Sequence, residues 1–307
     1  WGGSPATYHH NLLAGNDSRS PRFNGARGED YVVFMEYVNN VNFNWGRWNS
    51  CYGGENSADI TEYNGRNSAH ECNFMNNYYK PGPESPANSV FVMASHARKG
   101  ATSWGPARWY VSGNIMEGND AATADNWQAM SAEKYTTDQI RVNERIVPEM
   151  PYYKLDETEG AIGKYRPSRY MLTDIQTAGE AYKTVLKKAG TINRDATEKR
   201  VINDVKSGNP KFSGSKTGKR GIIDSVSDAE GFGLSHKQEA APADTDGDGM
   251  PDKWEKKHGL NPDNADDRNL TNPDGYTALE VYLNSLMGEK LSCKFSSTAT
   301  SHGKQAK

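Results

Sequence analysis

Short apolar strands recur through the first part of the chain, each running into an asparagine and then an aliphatic or aromatic residue. They are Tyr8-His9-His10-Asn11-Leu12-Leu13, Val38-Asn39-Asn40-Val41, Met75-Asn76-Asn77-Tyr78-Tyr79 and Val111-Ser112-Gly113-Asn114-Ile115. The asparagines at 11, 40, 77 and 114 are spaced by 29, 37 and 37 residues. Self-similarity on that scale marks a solenoid, in which each unit buries its apolar face against the next. Asparagine suits the bend of such a coil, because its side chain can bond its equivalent in the next coil and it tolerates left-handed backbone angles. An ordinary β-rich domain with asparagine at its turns would show a similar pattern, so periodicity alone leaves both readings open.

From about residue 170 the period becomes helical. Thr177-Ala178-Gly179-Glu180 is a capping box, and Ala178, Ala181, Tyr182, Val185, Leu186 and Ala189 follow at helical spacing before Gly190. Asp195 and Glu198 open a second helix carrying Val201, Ile202 and Val205, which Ser207-Gly208 ends. Lys206–Arg220 holds five basic residues and no acid, and reads as a solvated loop or linker; 240–243 is a second hinge. Thr277 and Glu280 form another capping box, with Leu279, Leu283 and Leu286 as the apolar stripe of the last helix. Beyond Glu289 there is no pattern, as in a frayed tail.

Composition sharpens this picture. Leu, Ile, Val and Phe number 12, 10, 14 and 8, about 14% of 307 residues, a value that ordinarily warns of disorder. Disorder also wants few aromatics, and here there are 31 Phe, Trp and Tyr. Six of the seven Trp and 18 of the 27 Asn precede residue 128, so the first part has a thin aliphatic core that suits stacked strands. The Trp45, Trp48, Trp104 and Trp109 group could stack on sugar rings or pack the core. Thirty-six Lys and Arg against 39 Asp and Glu argue against a nucleic-acid binder. The longest apolar run, Tyr31–Met35, is far short of the roughly 20 residues a membrane helix needs. Cys51 and Cys72 are close enough in sequence for a bridge, though two free buried thiols fit as well, and Cys293 stands apart.

The sharpest spacing is Asp244-Thr-Asp246-Gly-Asp248-Gly249-Met250-Pro-Asp252-Lys-Trp-Glu255. Acids fall at positions 1, 3, 5, 9 and 12 with glycine at 6, the pattern of an EF-hand calcium loop. Met250 would give its backbone carbonyl and Glu255 would bind with both oxygens, while an exit helix runs to about His258 and stops at Gly259. A partner half follows in 272–280, where Asp274, Gly275 and Glu280 sit as a shortened loop would want them. Leu270 occupies the first-acid position there, so this half is degenerate. The pair resembles the calcium-binding repeats of dockerins and thrombospondin type 3 segments, in which the ion holds the fold together. Such modules point to a secreted protein, extracellular or, in a bacterium, at the cell surface or in the periplasm.

Tyr8-His9-His10-Asn11 is followed, eight residues after the asparagine, by Arg19-Ser20-Pro21-Arg22-Phe23. This resembles the pectate lyase family, polysaccharide lyase family 1, whose signature is an HHN strand end followed by an R-x-P segment. Asp174–Thr177, Arg194-Asp195 with Arg200, Gly221–Ser225 and the acidic loop extend the resemblance to about residue 288, as in the C-terminal half of bacterial secreted members. It implies a mainly β fold, a right-handed parallel β-helix, and calcium-assisted β-elimination in pectate or a related polygalacturonan. Arg19 takes the family's catalytic arginine position, and Arg22, Arg27 and His10 become candidates for binding substrate. Arginine is essentially always protonated, so a base role needs nearby positive charge or alkaline pH. His9 and His10 fall on alternate faces of a strand, which puts one of them inside the solenoid.

Two departures qualify the resemblance. Asn24 stands where the family carries a second basic residue after the proline, and the family's calcium-binding acids and substrate lysine lie upstream of the HHN strand, where only eight residues precede His9. The chain is therefore expected to be the C-terminal portion of a lyase, poorly active or inactive alone. The expected division is a β-helix over 1–170, a helical extension and basic linker over 171–240, a calcium module over 241–288 and a disordered tail over 289–307. The expected partner is an acidic polysaccharide bound by a monomer. The alternative is a non-catalytic β-helix that binds plant-wall polysaccharide, with the calcium module as a structural element.

Overall fold

The computed structural model describes residues 6–23, 27–28, 33–54, 57–58, 70–94, 107–133, 135–147, 171–190, 194–229 and 240–296. The chain divides into two compact units, 1–235 and 236–307. In the first unit the backbone coils repeatedly through the same three directions. The first coil holds β1 (Ala6–His9), β2 (Leu12–Ala14) and β3 (Arg22–Phe23), followed by the short β4 (Arg27–Gly28). The second holds β5 (Val33–Val38), β6 (Val41–Phe43), β7 (Asn49–Gly53) and the short β8 (Ser57–Ala58). The third holds β9 (His70–Met75), β10 (Tyr78–Lys80) and β11 (Val90–Ala94), and the fourth β12 (Arg108–Ser112), β13 (Ile115–Met116) and β14 (Met130–Ala132).

Each coil gives one strand to each of three four-stranded parallel sheets, ordered β1-β5-β9-β12, β2-β6-β10-β13 and β3-β7-β11-β14. A β4–β8 pair lies outside them. This mostly β arrangement with some helices is consistent with a parallel β-helix. The asparagine spacing is its register: Asn11 Nδ2 donates to Asn40 Oδ1 at 2.8 Å, Asn40 Nδ2 to Asn77 Oδ1 at 3.1 Å and Asn77 Nδ2 to Asn114 Oδ1 at 2.8 Å. Asn126 Oδ1 extends the ladder beyond Asn114 at 3.0 Å. The residue before each repeat asparagine is left-handed: His10, Asn39, Asn76 and Gly113 have φ of 55°, 57°, 50° and 70°. At 113 a Cβ would come within 1.8 Å of Asn76 Oδ1, so glycine lets that side chain keep its place.

The first unit's core explains the low aliphatic content. Phe23, Tyr37, Trp45, Phe74, Tyr79, Phe91 and Trp109 fill the coil interior with Cys51 and Cys72, and Tyr37 stacks on Phe74 at 5.5 Å between centroids. Trp45 and Trp109 are thus core residues, whereas Trp48 keeps 40% of its surface exposed; Trp104 lies outside the described residues. The three cysteines are free. Cys51 Sγ donates to Ser20 O at 2.5 Å, and burial pushes its thiol up to about 12.

Along β6 the pleat turns Asn42 inward, where it accepts from the Tyr37 hydroxyl at 2.7 Å, and turns Val41 and Phe43 outward. That outer face is covered by α3 (Ala178–Lys188) and α4 (Ala196–Ser207), through Val185, Leu186, Ile202 and Val205. Their capping boxes are Thr177 with Glu180 and Asp195 with Glu198, and Gly208 closes α4 at φ 68°. Two shorter helices, α1 (Asp120–Ala124) and α2 (Thr137–Ile140), flank the last coil. The basic stretch after α4 is held to the coil loops: Asn44 Nδ2 donates to Arg220 O at 2.8 Å and Arg220 N to Glu84 Oε1 at 2.9 Å.

A buried carboxylate ties further chain to the first sheet. Glu36, fully buried on β5, receives Arg145 Nη2 at 2.6 Å, Asn73 Nδ2 at 3.1 Å and the amide of Leu172 at 3.2 Å.

The second unit contains α5 (Asp252–His258), a 3-10 turn at Ala265–Asn269 and α6 (Ala278–Leu286). Gly259 ends α5 at φ 76°. Met250, Leu260 and Ala278 form its core with Trp254, Leu270, Leu279, Tyr282 and Phe295. The apolar stripe expected on α6 is only partly used. Leu279 packs, but Leu283 and Leu286 are 49% and 58% exposed, and the buried positions are Ala278 and Val281. Two faces of α6 carry apolar residues at helical spacing, and the small core selects the one with alanine, which lets the helix approach closely. Residues 291–296 run back to Thr271, whose carbonyl accepts from Ser296 N at 3.0 Å.

Candidate active site and metal centre

Arg19 lies in the loop between β2 and β3, exposed and left-handed at φ 63°. The next residue anchors the loop, Ser20 N donating to Ser50 O at 2.9 Å. From there the chain enters β3, which pairs with β7 so that Arg22 stands opposite Tyr52. Tyr52 meets both arginines: its hydroxyl accepts from Arg19 Nε at 2.9 Å, and the Arg22 guanidinium lies over its ring at 5.1 Å. The hydrogen bond raises the Arg19 pKa above its already high ordinary value, so the resting guanidinium is a cation.

More charge lies just upstream. Asp17 accepts from Arg47 Nε at 3.3 Å and from Lys219 Nζ, and these cations hold its carboxyl below the usual range. Lys219 belongs to the stretch read from sequence as a solvated linker.

His10 is occupied elsewhere. Its Nε2 pairs with Gln176 Oε1 at 3.0 Å and its Nδ1 with His9 Nδ1 at 2.9 Å. Neither histidine is packed inside the coil, because the backbone turns left-handed at His10 and breaks the strand alternation that would have directed one inward. Arg27 lies on β4, and its side chain is outside the described residues. The structure thus brings Arg19 and Arg22 together through Tyr52. Sequence reading missed Tyr52, although one coil length added to Arg22 would have found it: 52 − 22 is 30, against the 29 between Asn11 and Asn40.

In the second unit Asp244, Asp246 and Asp248 converge, each offering an oxygen within 4.8 Å of the others. The loop shapes itself around Asp244, whose Oδ1 accepts from Gly247 N at 2.9 Å and Oδ2 from Gly249 N at 3.0 Å. Gly249 makes the turn at φ 97°. Asp248, Glu255 and Asp267 form a second group within the same span. They are 2%, 0% and 6% exposed, and Asp248 Oδ2, both Glu255 oxygens and Asp267 Oδ1 are buried without a hydrogen-bond partner. Burial, then repulsion by Asp248, Asp246, Asp267 and Asp252, pushes Glu255 up to about 7; burial likewise raises Asp248. Lone buried carboxylate oxygens facing one another are the donor set of a hard cation.

The other acids expected as ligands make different contacts, and Met250, expected to offer its backbone carbonyl, stands two residues after Asp248 in the loop. Asp252 spends both oxygens on Thr245, accepting from its amide at 2.7 Å and its hydroxyl at 2.8 Å. The Met250 side chain is fully buried in the core, and its amide donates to Asp248 Oδ1 at 2.7 Å. Glu280 is exposed and caps α6 through Thr277, and Asp274 is exposed in a turn organised by Asn272 Oδ1. Neither acid belongs to the two groups. Asp267 was absent from the sequence reading, since no loop pattern includes it.

No protein-family model matches the chain. It is similar to proteins named "Probable pectate lyase C": 26% identical over 282 residues to that of Emericella nidulans, covering 91% of this chain and 52% of the relative. It is 25% identical over 287 residues to that of Aspergillus terreus, covering 93% and 54%. For Aspergillus fumigatus the figures are 26% over 279 residues, 90% and 52%. The chain spans about half the length of the curated relatives it matches, and their names support a pectate lyase-like family. Among the described residues no helix is long and apolar enough to cross a membrane.

Proposed function

We propose that the protein is an extracellular, calcium-dependent polysaccharide lyase acting on pectate or a related polygalacturonan, built on a right-handed parallel β-helix with an EF-hand-like C-terminal module and working as a monomer. The observation that carries this reading is the pair of forked cations, Arg19 and Arg22, gathered around Tyr52 at the edge of a parallel sheet. Guanidiniums match carboxylates in two-pronged geometry, and a polyuronate presents a carboxylate on every sugar.

In the reaction a base takes the proton at C5, beside the uronate carboxylate. The electron pair forms the C4–C5 double bond, the C4–O4 bond breaks, and O4 leaves with a proton taken from water. Arg19 is assigned the base, Arg22 and Arg27 grip carboxylates, and His10 borders the substrate. Calcium bound to the substrate carboxylate would make C5–H more acidic. Because Tyr52 favours the charged form of Arg19, proton removal is assigned to alkaline pH, where the neutral fraction grows.

In the second unit Asp244, Asp246, Asp248 and Glu255 would hold a structural calcium ion, with Asp252 bracing the loop. Asp274 and Glu280, the remaining acids of the degenerate half, are assigned a weaker second site. A module of this kind suits the millimolar calcium found outside cells.

The same rise in the Arg19 pKa favours a second reading, a non-catalytic protein that binds the polymer through fixed positive charge. Ultraviolet absorbance of the unsaturated product from polygalacturonate, followed for the complete protein that carries this chain from neutral to alkaline pH with and without chelator, separates the two. Absorbance that grows with pH and is lost in Arg19→Lys and in chelator supports the lyase. Retention on immobilised polygalacturonate with no absorbance at any pH leaves the binding reading.

A further inference from the structure

We propose that Asp267, twelve positions beyond Glu255 and outside the acidic loop, is a direct calcium ligand that ties the loop to the turn leading into α6. The inference rests on the calcium reading of that loop and extends it to a residue the loop pattern does not contain.

Three observations carry it. Asp267 is 94% buried, and Asn261 N donates to its Oδ2 at 2.7 Å, which fixes the carboxylate and leaves Oδ1 without a partner. Asp248 Oδ2 and both Glu255 oxygens are equally without partners, and all three residues offer oxygens within 4.8 Å of one another. Oxygens no farther apart than that can share one ion with bonds of about 2.4 Å. Finally, Asp248 belongs to both acidic groups, which places Glu255 and Asp267 beside the same carboxylate that the loop acids Asp244 and Asp246 approach.

Calcium takes about six to eight oxygens, and a twelve-residue loop ordinarily involves its ninth position. Here Asp252 holds that position with both oxygens bonded to Thr245. Asp252 lies in neither group of converging carboxylates, whereas Asp267 belongs to one. The ion then ties two segments that are distant along the chain: the loop, and the 3-10 turn whose end, Leu270, accepts from Ala278 N at 2.8 Å at the start of α6. Without a cation the three buried carboxylates repel one another across a small apolar core.

The test compares calcium titration by calorimetry and thermal melting, with calcium or chelator, for the full chain, Asp267→Asn and Asp266→Asn. Asp267→Asn keeps an oxygen for Asn261 N but removes the charge; Asp266 is the exposed neighbour. Direct ligation requires calcium affinity to fall on the order of tenfold or more in Asp267→Asn, with a smaller calcium-induced rise in Tm. It also requires Asp267→Asn in chelator to melt at or above the parent, because repulsion is relieved. Asp266→Asn should match the parent. Unchanged affinity in Asp267→Asn overturns the inference, whatever its Tm. A parent chain that binds no calcium overturns the calcium reading beneath it. Should Asp267→Asn not fold, Asp267→Glu keeps the charge on a longer arm, and parent-like affinity there together with parent-like melting overturns direct ligation.

Discussion

Tyr52 Oη accepts a hydrogen bond from Arg19 Nε at 2.9 Å, across one coil of the third sheet. The contact does two things at once: it fixes the direction of the guanidinium, and it favours its charged form. For a residue assigned to remove a proton these effects oppose each other.

Tyr52→Phe, made in the complete protein that carries this chain, separates them. Removing the hydroxyl lowers the Arg19 pKa, so the alkaline rise of kcat should begin at lower pH. The maximal kcat should fall because the guanidinium is no longer held, while the ring under Arg22 is retained and KM changes less. A pH profile of kcat that keeps its position in Tyr52→Phe would separate Tyr52 from the chemistry.

The asparagine ladder should be most sensitive in its middle. Asn77 accepts from Asn40 N at 2.9 Å and donates to Tyr37 O at 2.9 Å and Asn114 Oδ1 at 2.8 Å, all in the dry interior. Asn77→Ala strands these groups at about 1–3 kcal/mol each before relaxation. Asn11 is the exposed end of the ladder, and Asn40 Oδ1 keeps the Asn11 amide at 3.0 Å when the Asn11 side chain is lost. Denaturant unfolding should therefore show a much larger loss for Asn77→Ala than for Asn11→Ala; equal losses would mean that the ladder does not act as a buried network.

Arg145→Met should leave Glu36 buried and uncompensated, since Arg145 reaches it through Nε at 2.9 Å and Nη2 at 2.6 Å. Breaking such a pair from one side costs about 3–5 kcal/mol. Replacing both residues, as Glu36→Leu with Arg145→Met, should recover part of that loss in the same unfolding measurement.

In chelator the stability of the second unit should respond to Glu255. Its pKa is raised from 4.5 to about 7, so between those values the folded state binds a proton that the unfolded state has released. Stability from this group is therefore full below 4.5 and is lost as pH rises through about 7. Within the same unit His258 is lowered from 6.5, mainly by burial, and acts in the opposite sense. The comparison that isolates Glu255 is with Glu255→Gln: the parent's melting temperature should fall relative to the variant's as pH rises from 5 to 7. A constant difference would contradict the assignment, and saturating calcium should remove the parent's relative fall.

Much of the architecture was legible because it rests on local chemistry. The repeat asparagines became the ladder, because a bend that recurs at coil spacing places each side chain against its successor. Thr177 with Glu180, Asp195 with Glu198 and Gly259 acted where they stood, since caps involve only residues within one turn. Asp244, Asp246 and Asp248 gathered for the same reason: they share one short loop.

Residues distant in sequence escaped that reading. Tyr52 meets Arg19 only once a coil is laid on its neighbour, Lys219 meets Asp17 across 202 residues, and Glu36 finds Arg145 across 109. Asp267 turns toward Glu255 because the segment after α5 folds back and Asn261 pins its carboxylate. Leu283 and Leu286 stay exposed because a helix offers its apolar residues on more than one face and a small core accepts one. Periodicity along the chain carries the repeat, the caps and the acidic loop. It carries nothing about which side chains converge once the coils and loops pack, and both candidate sites are completed by residues of that kind, Tyr52 in one and Asp267 in the other.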